Sequence, residues 1–470
     1  MSRVQLHLLK SILRDCFGNV VECVGTVLAV KGALSLPVLV QNAKLPARAV
    51  KEALFVLIHH GLVRYRVTGD EDAVTRPVIY CIDVDRVMLR LAYPLFAGLA
   101  ERRFAAEGFK VFLEVAKHGR LSKNLLNEGL DVFDTMVEEG FLEAATPESS
   151  IWGEESAGHV NIFGASHSPG KRRVTESPVK DAKRAKIDVV HFVRINVKTF
   201  VTALWHETMV DFVGNRINDA AALVMQSCLK CAGNGATFSS FQVSTKLPSG
   251  TPLLVDNPGR VGDKSPLSQY LDCLSQEIAF FNKIDSRAGG TYSIDLNASA
   301  NTMRIKNIEA YISARFGEPS TRIFRILQDC KMLEEKTISK IAMMTPKDTR
   351  ERLYQMLQRG LVHLQEVPKT LDHAPSRTFF LWTIPTPIVF TRMAEMSLKV
   401  CINLLERASV ERKKSELLIL KSERSDVVAN PELLNDGERK QLKVLRKVLN
   451  RLAHHINCVM SEFLVLEHFK

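Results

Sequence analysis

The feature that most limits what this chain can fold into is a short junction that recurs: an apolar-periodic helix, a glycine, then at once a β-prone run. It stands at Leu54-Phe-Val-Leu-Ile-His-His60, Gly61 and Leu62-Val-Arg-Tyr-Arg-Val67. It returns at Val137-Glu-Glu-Gly-Phe-Leu-Glu-Ala144 and again at Leu357-Gln-Arg-Gly-Leu-Val-His-Leu-Gln365. Glycine suits this place because it closes a helix in the left-handed conformation at no steric cost. A looser copy, Leu271-Asp-Cys-Leu-Ser-Gln-Glu-Ile-Ala-Phe-Phe-Asn-Lys283, precedes a turn at Arg287-Ala-Gly-Gly-Thr291 and a strand at Tyr292-Ser-Ile294. Copies at irregular intervals predict serial domains rather than a solenoid.

The first copy shows what the unit is. Residues 6–17 and 20–30 carry apolar side chains at helical spacing, and 34–41 reads as a short connector. Residues 46–60 form a third helix, with Pro46 near its first turn and Gly61 at its end. Strands at 62–67 and 78–82 flank a polar turn at 68–77. Three helices followed by a hairpin is the winged-helix arrangement. With 470 residues, too many for one core, the chain is expected to be mainly α with small β wings. The expected domains are four winged helices, at 1–84, 85–145, 188–297 and 298–386, a basic flexible linker at 146–187, and a C-terminal antiparallel coiled-coil hairpin at 387–470.

The linker loses apolar periodicity and fills with Ser, Gly, Pro and charge. Within it, Lys171 and Arg172, followed by Lys183, Arg184 and Lys186, have the form of a bipartite nuclear-localisation signal. At the C-terminus, Asn430-Pro431 and Asp436-Gly437 mark a bend. Beyond them Leu442, Leu445, Leu449, Leu452, Ile456, Val459, Phe463 and Leu466 step by three and four, a coiled-coil seam. Either the preceding helix or another protein could fill it. Leu449 and Ile456 are its candidate interface residues.

The basic surplus, 63 Lys and Arg against 52 Asp and Glu, suits work near nucleic acid, so its placement matters. A winged helix usually reads DNA with its third helix. In the first module that face shows Arg48, Glu52, Phe55, Val56 and His59, poor company for phosphate; Phe55 and Val56 are candidate protein contacts. Lys44, Lys51, Arg64 and Arg66 are candidates for the DNA backbone, as are Lys347 and Arg352 in the fourth module. The second module's third helix, with Glu128, Asp131, Asp134, Glu138 and Glu139, repels phosphate. No third helix carries the Arg, Lys, Asn and Gln set of a sequence-specific reader.

No catalytic, cofactor or metal-binding residues are predicted. Asp83-Val-Asp85 has no third carboxylate nearby for a two-metal site and reads as solvent-facing. Cys228 and Cys231 have zinc-finger spacing without a second pair, and fall one turn apart on a helix. Nine dispersed cysteines and a start lacking a secretory apolar core predict an intracellular chain with reduced thiols. No uncharged apolar run approaches the roughly 20 residues of a membrane span.

The block Leu361-Val-His-Leu-Gln-Glu-Val-Pro-Lys-Thr-Leu-Asp-His-Ala-Pro-Ser-Arg-Thr-Phe-Phe-Leu-Trp382 closely resembles a signature of one family. That family is the extended winged-helix subunit of RNA polymerase III, third largest in the enzyme and part of its specific heterotrimer. Similar stretches are Asp15 to Val24 with Val50-Lys-Glu-Ala-Leu54, Arg315-Phe-Gly317 with Arg322-Ile-Phe-Arg325, and Glu438-Arg439 with Gln441-Leu442. The resemblance covers essentially the whole chain and departs in the linker and at 249–264. It implies a nuclear, non-catalytic subunit without cofactors, made of four winged helices and a coiled-coil stalk. Its implied partners are the polymerase III core and clamp, two companion heterotrimer subunits, the TATA-binding-protein-containing initiation factor, and double- and single-stranded promoter DNA held weakly and without sequence preference. The implied role is initiation-factor recruitment and promoter opening for transfer RNA, 5S ribosomal RNA and other small transcripts. A free-standing DNA-binding regulator is the alternative, and it requires a basic third helix. A bridging scaffold of some other complex is a third reading, against which the 372–377 block and the four modules weigh.

Overall fold

The computed structural model describes residues 2–67, 78–126, 129–146, 192–232, 237–248, 265–276, 280–285, 290–369 and 378–468. Internal contacts divide the chain into two units, Met1–Phe200 and Val201–Lys470.

The first unit opens with α1 (Arg3–Phe17), started by a capping box in which Ser2 and Gln5 satisfy each other's backbone N–H groups. Gly18, at φ 89°, ends α1 and begins α2 (Asn19–Lys31). Then follow β1 (Leu34–Ser35), α3 (Leu36–Ala43), α4 (Ala47–His59), β2 (Val63–Val67) and β3 (Val78–Ile82). β3 lies between β1 and β2, antiparallel to both, so Tyr80 faces Leu34 on one side and Tyr65 on the other. The predicted connector at 34–41 is thus a strand and a helix. Two turns that bury only Leu39 and Ala43 are too short to display helical periodicity. The winged helix proper is α2, α3 and α4 with three strands, and α1 is an added helix. Pro46 sits at the N-cap of α4, just outside the first turn, and Gly61 at φ 68° closes it as expected.

The second module runs through α5 (Val84–Leu89), α6 (Tyr93–His118, broken at Ala105), β4 (Leu121–Ser122), α7 (Leu130–Glu138), β5 (Leu142–Ala144) and β6 (Phe192–Ile195). Here one expected boundary is corrected. β6 does not open the third module at 188; it is the central strand of the second sheet, pairing Val193 with Leu121 and Ile195 with Leu142. The segment expected to link two domains therefore joins two strands of one sheet. Residues 147–191, including Lys171, Arg172, Lys183, Arg184 and Lys186, lie outside the described residues. A four-residue strand beyond a long polar stretch carries no local mark of which sheet it completes.

The second unit takes in most of α8 (Val197–Arg216), then α9 (Asp219–Ala232), β7 (Thr237–Ser239), α10 (Ser240–Lys246), α11 (Pro266–Gln276), β8 (Phe281–Asp285) and β9 (Thr291–Ile294). The fourth module repeats the first closely: α12 (Leu296–Phe316), Gly317 at φ 83°, α13 (Glu318–Cys330), β10 (Met332–Glu334), α14 (Glu335–Ala342), α15 (Pro346–Gln358), β11 (His363–Pro368) and β12 (Thr378–Thr383). Among the described residues all four sheets share one strand order, with the last strand in the middle. Four three-stranded sheets in this order, each among short helices, establish the mainly α, four-winged-helix class.

The C-terminal region consists of α16 (Thr386–Lys414), α17 (Glu416–Ser422), α18 (Ser425–Ala429) and α19 (Asp436–Phe463), with a π-helical turn at Leu464–His468. Asp436 and Gly437 belong to the first turn of α19, capped by Asn435 with Glu438, so only Asn430-Pro431 marks the bend. α19 packs along α16. Buried Arg304 of α12 donates to the Val465 carbonyl at 3.0 Å and lies 5.5 Å from the Phe390 ring. The end of α19 is thereby set beside the start of α16, an antiparallel hairpin rooted on the fourth module. Leu442, Leu445, Phe463 and Leu466 of the seam are buried, while Leu449, Leu452, Ile456 and Val459 are half-buried. Among the described residues no helix is long and apolar enough to cross a membrane.

Candidate nucleic-acid and protein interfaces

The outward face of α4 is built as its spacing suggests. Val50, Ala53, Leu54 and Leu57 fill the core, which turns Phe55 outward at 68% exposure and leaves Val56 half-buried. Phe55 stacks on His59, and Arg48 is neutralised by Glu52 at 2.9 Å. Lys44, at φ 53° in the turn before α4, and Lys51 are exposed and make no ion pair among the described residues. Arg66 on β2 is likewise free, whereas Arg64 is engaged by Asp83 at 2.7 Å. Asp83 is therefore not solvent-facing: it caps α5 through the Arg86 N–H and receives both Arg64 and Arg86.

In the second module the acidity of α7 is partly offset, Asp134 by Lys123 and Glu139 by Arg103, while Asp131 and Glu138 stay exposed; Glu128 lies outside the described residues. On α15, Lys347 is exposed, but Arg352 turns inward, donating to the Phe316 carbonyl at 2.9 Å and the Ser320 hydroxyl at 3.2 Å. It braces α15 against the Phe316–Gly317 corner. Lys44, Lys51, Arg66 and Lys347 thus remain available to a phosphate backbone. Exposed apolar groups that no sequence pattern flagged are Phe241 on α10 and Met343, at φ 54° before α15. A single apolar residue on a polar face leaves no periodic trace.

Cys228 is buried in α9, which pushes its thiol pKa up, and Cys231 contacts the Gln242 carbonyl. No three His, Cys, Asp or Glu side chains among the described residues are grouped to hold a metal ion.

Two family models match: the RNA polymerase III subunit RPC82 helix-turn-helix domain at residues 7–68, and the POLR3C C-terminal winged-helix domain at 308–384. The chain is 27% identical over 539 aligned residues to the DNA-directed RNA polymerase III subunit RPC3 of Danio rerio, covering 100% of this chain and 98% of that one. The Homo sapiens protein of the same name is 26% identical, covering 96% and 95%. Along its full length the chain is similar to this subunit. A Coccidioides immitis relative is 37% identical over 182 residues, 38% of this chain.

The first family-matched segment, 7–68, also holds a strongly perturbed ionisable group. His60 follows α4 and its Nδ1 accepts from Arg90 Nη2 at 2.6 Å, in a pocket with Arg86, Arg194 and Tyr93. The Arg90 guanidinium lies 4.9 Å from both the Phe17 and Tyr93 rings. Burial, then the Arg90 charge, lowers the His60 pKa to about 3. The folded chain therefore keeps His60 neutral while the unfolded chain takes up a proton below its ordinary value near 6.5. Stability is present above that value and is lost as pH falls from about 6.5 toward 3, by at most about 1.4 kcal/mol per pH unit. Urea midpoints of the first unit should fall between pH 6.5 and 5, above the range where carboxylates titrate. In His60→Asn that fall should be smaller, His59 retaining a share because burial also lowers its pKa.

Proposed function

We propose that this chain works in the nucleus as a non-catalytic subunit of RNA polymerase III, recruiting its initiation factor and assisting promoter opening. The observation that carries the reading is likeness along the full length of the RNA polymerase III subunit RPC3. The α4 face agrees with it: an exposed Phe55 beside a self-neutralised Arg48–Glu52 pair suits protein docking better than base reading. The partners proposed are the polymerase core and clamp, two companion heterotrimer subunits and the TATA-binding-protein-containing initiation factor. Promoter DNA, duplex or single-stranded, is met through backbone contacts at Lys44, Lys51, Arg66 and Lys347, without sequence preference. The segment holding Lys171, Arg172, Lys183, Arg184 and Lys186 is proposed to direct nuclear import.

The test is retention on a tagged chain in nuclear extract, read by mass spectrometry. The large catalytic subunits of polymerase III and two companions should be recovered, and Phe55→Glu should reduce at least one of them. Recovery of no polymerase subunit, or a sharp sequence preference of the isolated chain at physiological salt, overturns the reading.

A further inference from the structure

Helix α19 has a second face opposite its seam. From 439 to 451 it carries Arg439, Lys440, Lys443, Arg446, Lys447 and Arg451, with no acidic residue among them. All six are exposed. Asp436 lies 3.7 Å from Arg439, and the other five make no ion pair among the described residues. On the facing helix α16, Glu411 holds both Arg407 and Lys414 while Arg412 and Lys413 are exposed, and Glu438 holds Lys421 on α17. At about 100° per residue, Lys440, Lys443, Lys447 and Arg451 fall within a sector of about 80°, centred opposite Leu442, Leu445 and Leu449. They form a row about 16 Å long. Like charges three and four residues apart repel along a helix, and an anion laid on the row relieves that repulsion.

We propose that this outward face of α19 holds the phosphate backbone of duplex DNA, as a contact separate from the winged-helix residues. The proposal rests on the DNA side of the function above and adds a surface to it. A duplex presents about one phosphate charge per 1.7 Å of axis, so every cation of the row meets phosphate. The helix has no Phe, Tyr or Trp between 436 and 462, which leaves no platform for stacking the bases of a single strand. Its one strongly exposed apolar residue there is Val444, too little to anchor an acidic peptide by burial.

The test is fluorescence anisotropy of the full chain with a short labelled duplex, from about 50 to about 200 mM salt. In K440Q/K443Q/K447Q/R451Q, affinity at the low-salt end should drop by about tenfold or more, and the log–log salt slope should shrink by about 3 to 4. The charge-conserving K440R/K443R/K447R should bind as the parent does, separating charge from packing. A parallel K44Q/K51Q/R66Q/K347Q variant reports on the winged-helix contacts alone. If that variant weakens binding while the α19 variant leaves affinity and slope unchanged, the α19 contact is wrong and the function above stands. If the α19 variant keeps duplex affinity but loses a labelled polyglutamate peptide, the face belongs to an acidic protein and the proposal fails. If neither variant changes duplex binding, both DNA assignments fall.

Discussion

A chain cut at a protease site engineered between residues 160 and 170 is expected to elute as one particle after cleavage. The reason is the sheet that 192–195 completes. β6 pairs with both β4 and β5, Arg194 binds Glu143 at 2.6 Å, and Asn196 donates its amide to the Gly140 carbonyl at 3.0 Å. Just beyond, the fully buried Phe200 ring lies 5.3 Å from Phe96, 5.3 Å from Phe112 and 4.9 Å from Phe141. Those three belong to the stretch before the cut, so the later fragment supplies the centre of an aromatic core it does not otherwise own. Phe200→Ala leaves a cavity there and should cost about 3–5 kcal/mol. In the cut chain that loss becomes a weakening of fragment association by roughly 10² to 10³-fold or more. Size-exclusion chromatography across a dilution series reads both results. Separation of the parent fragments at micromolar concentration would mean that the strand pairing is wrong.

The second large effect is expected at Trp382→Ala, which should lower the stability of the second unit by about 3–5 kcal/mol. Trp382 is 2% exposed, central in the fourth sheet between Leu333 and Leu364, and meets the Tyr354 ring edge-on at 5.5 Å. Two neighbours on the same strand behave oppositely: Phe379 and Phe380 are 41% and 40% exposed. Alanine at either should cost less than at Trp382, because a ring already about two-fifths in water gives up less buried surface. Denaturant midpoints of the three variants check this ordering. A Trp382→Ala loss no larger than that of Phe379→Ala would show that the sheet is not a packed centre. The signature block thus divides into residues that hold the module, namely Leu361, Val362 and Trp382, and residues that it displays.

The α4 face was legible in sequence because a thirteen-residue helix spans several turns, and its periodicity sorts Val50, Leu54 and Leu57 from Phe55. The same applies to the seam of α19, and to the glycines at 61, 140 and 360, whose positive φ angles are local demands. Family likeness was legible at 361–382 because that block is specific. Other assignments depended on neighbours distant in the chain. Arg64 and Arg352 look like free cations beside exposed positions, and only packing brings Asp83 and the Phe316 carbonyl to them. His60 is an ordinary histidine until burial beside Arg90 holds it neutral. Sequence by itself determined the repeated helix–glycine–strand unit, the apolar faces and the seam, since these follow from backbone period and steric limits within a few residues. Tertiary structure alone decided that β6 belongs to the second sheet, that α1 stands outside the first wing, and that α19 closes on α16. Each of those is a choice among partners that local chemistry leaves equal and long-range burial separates.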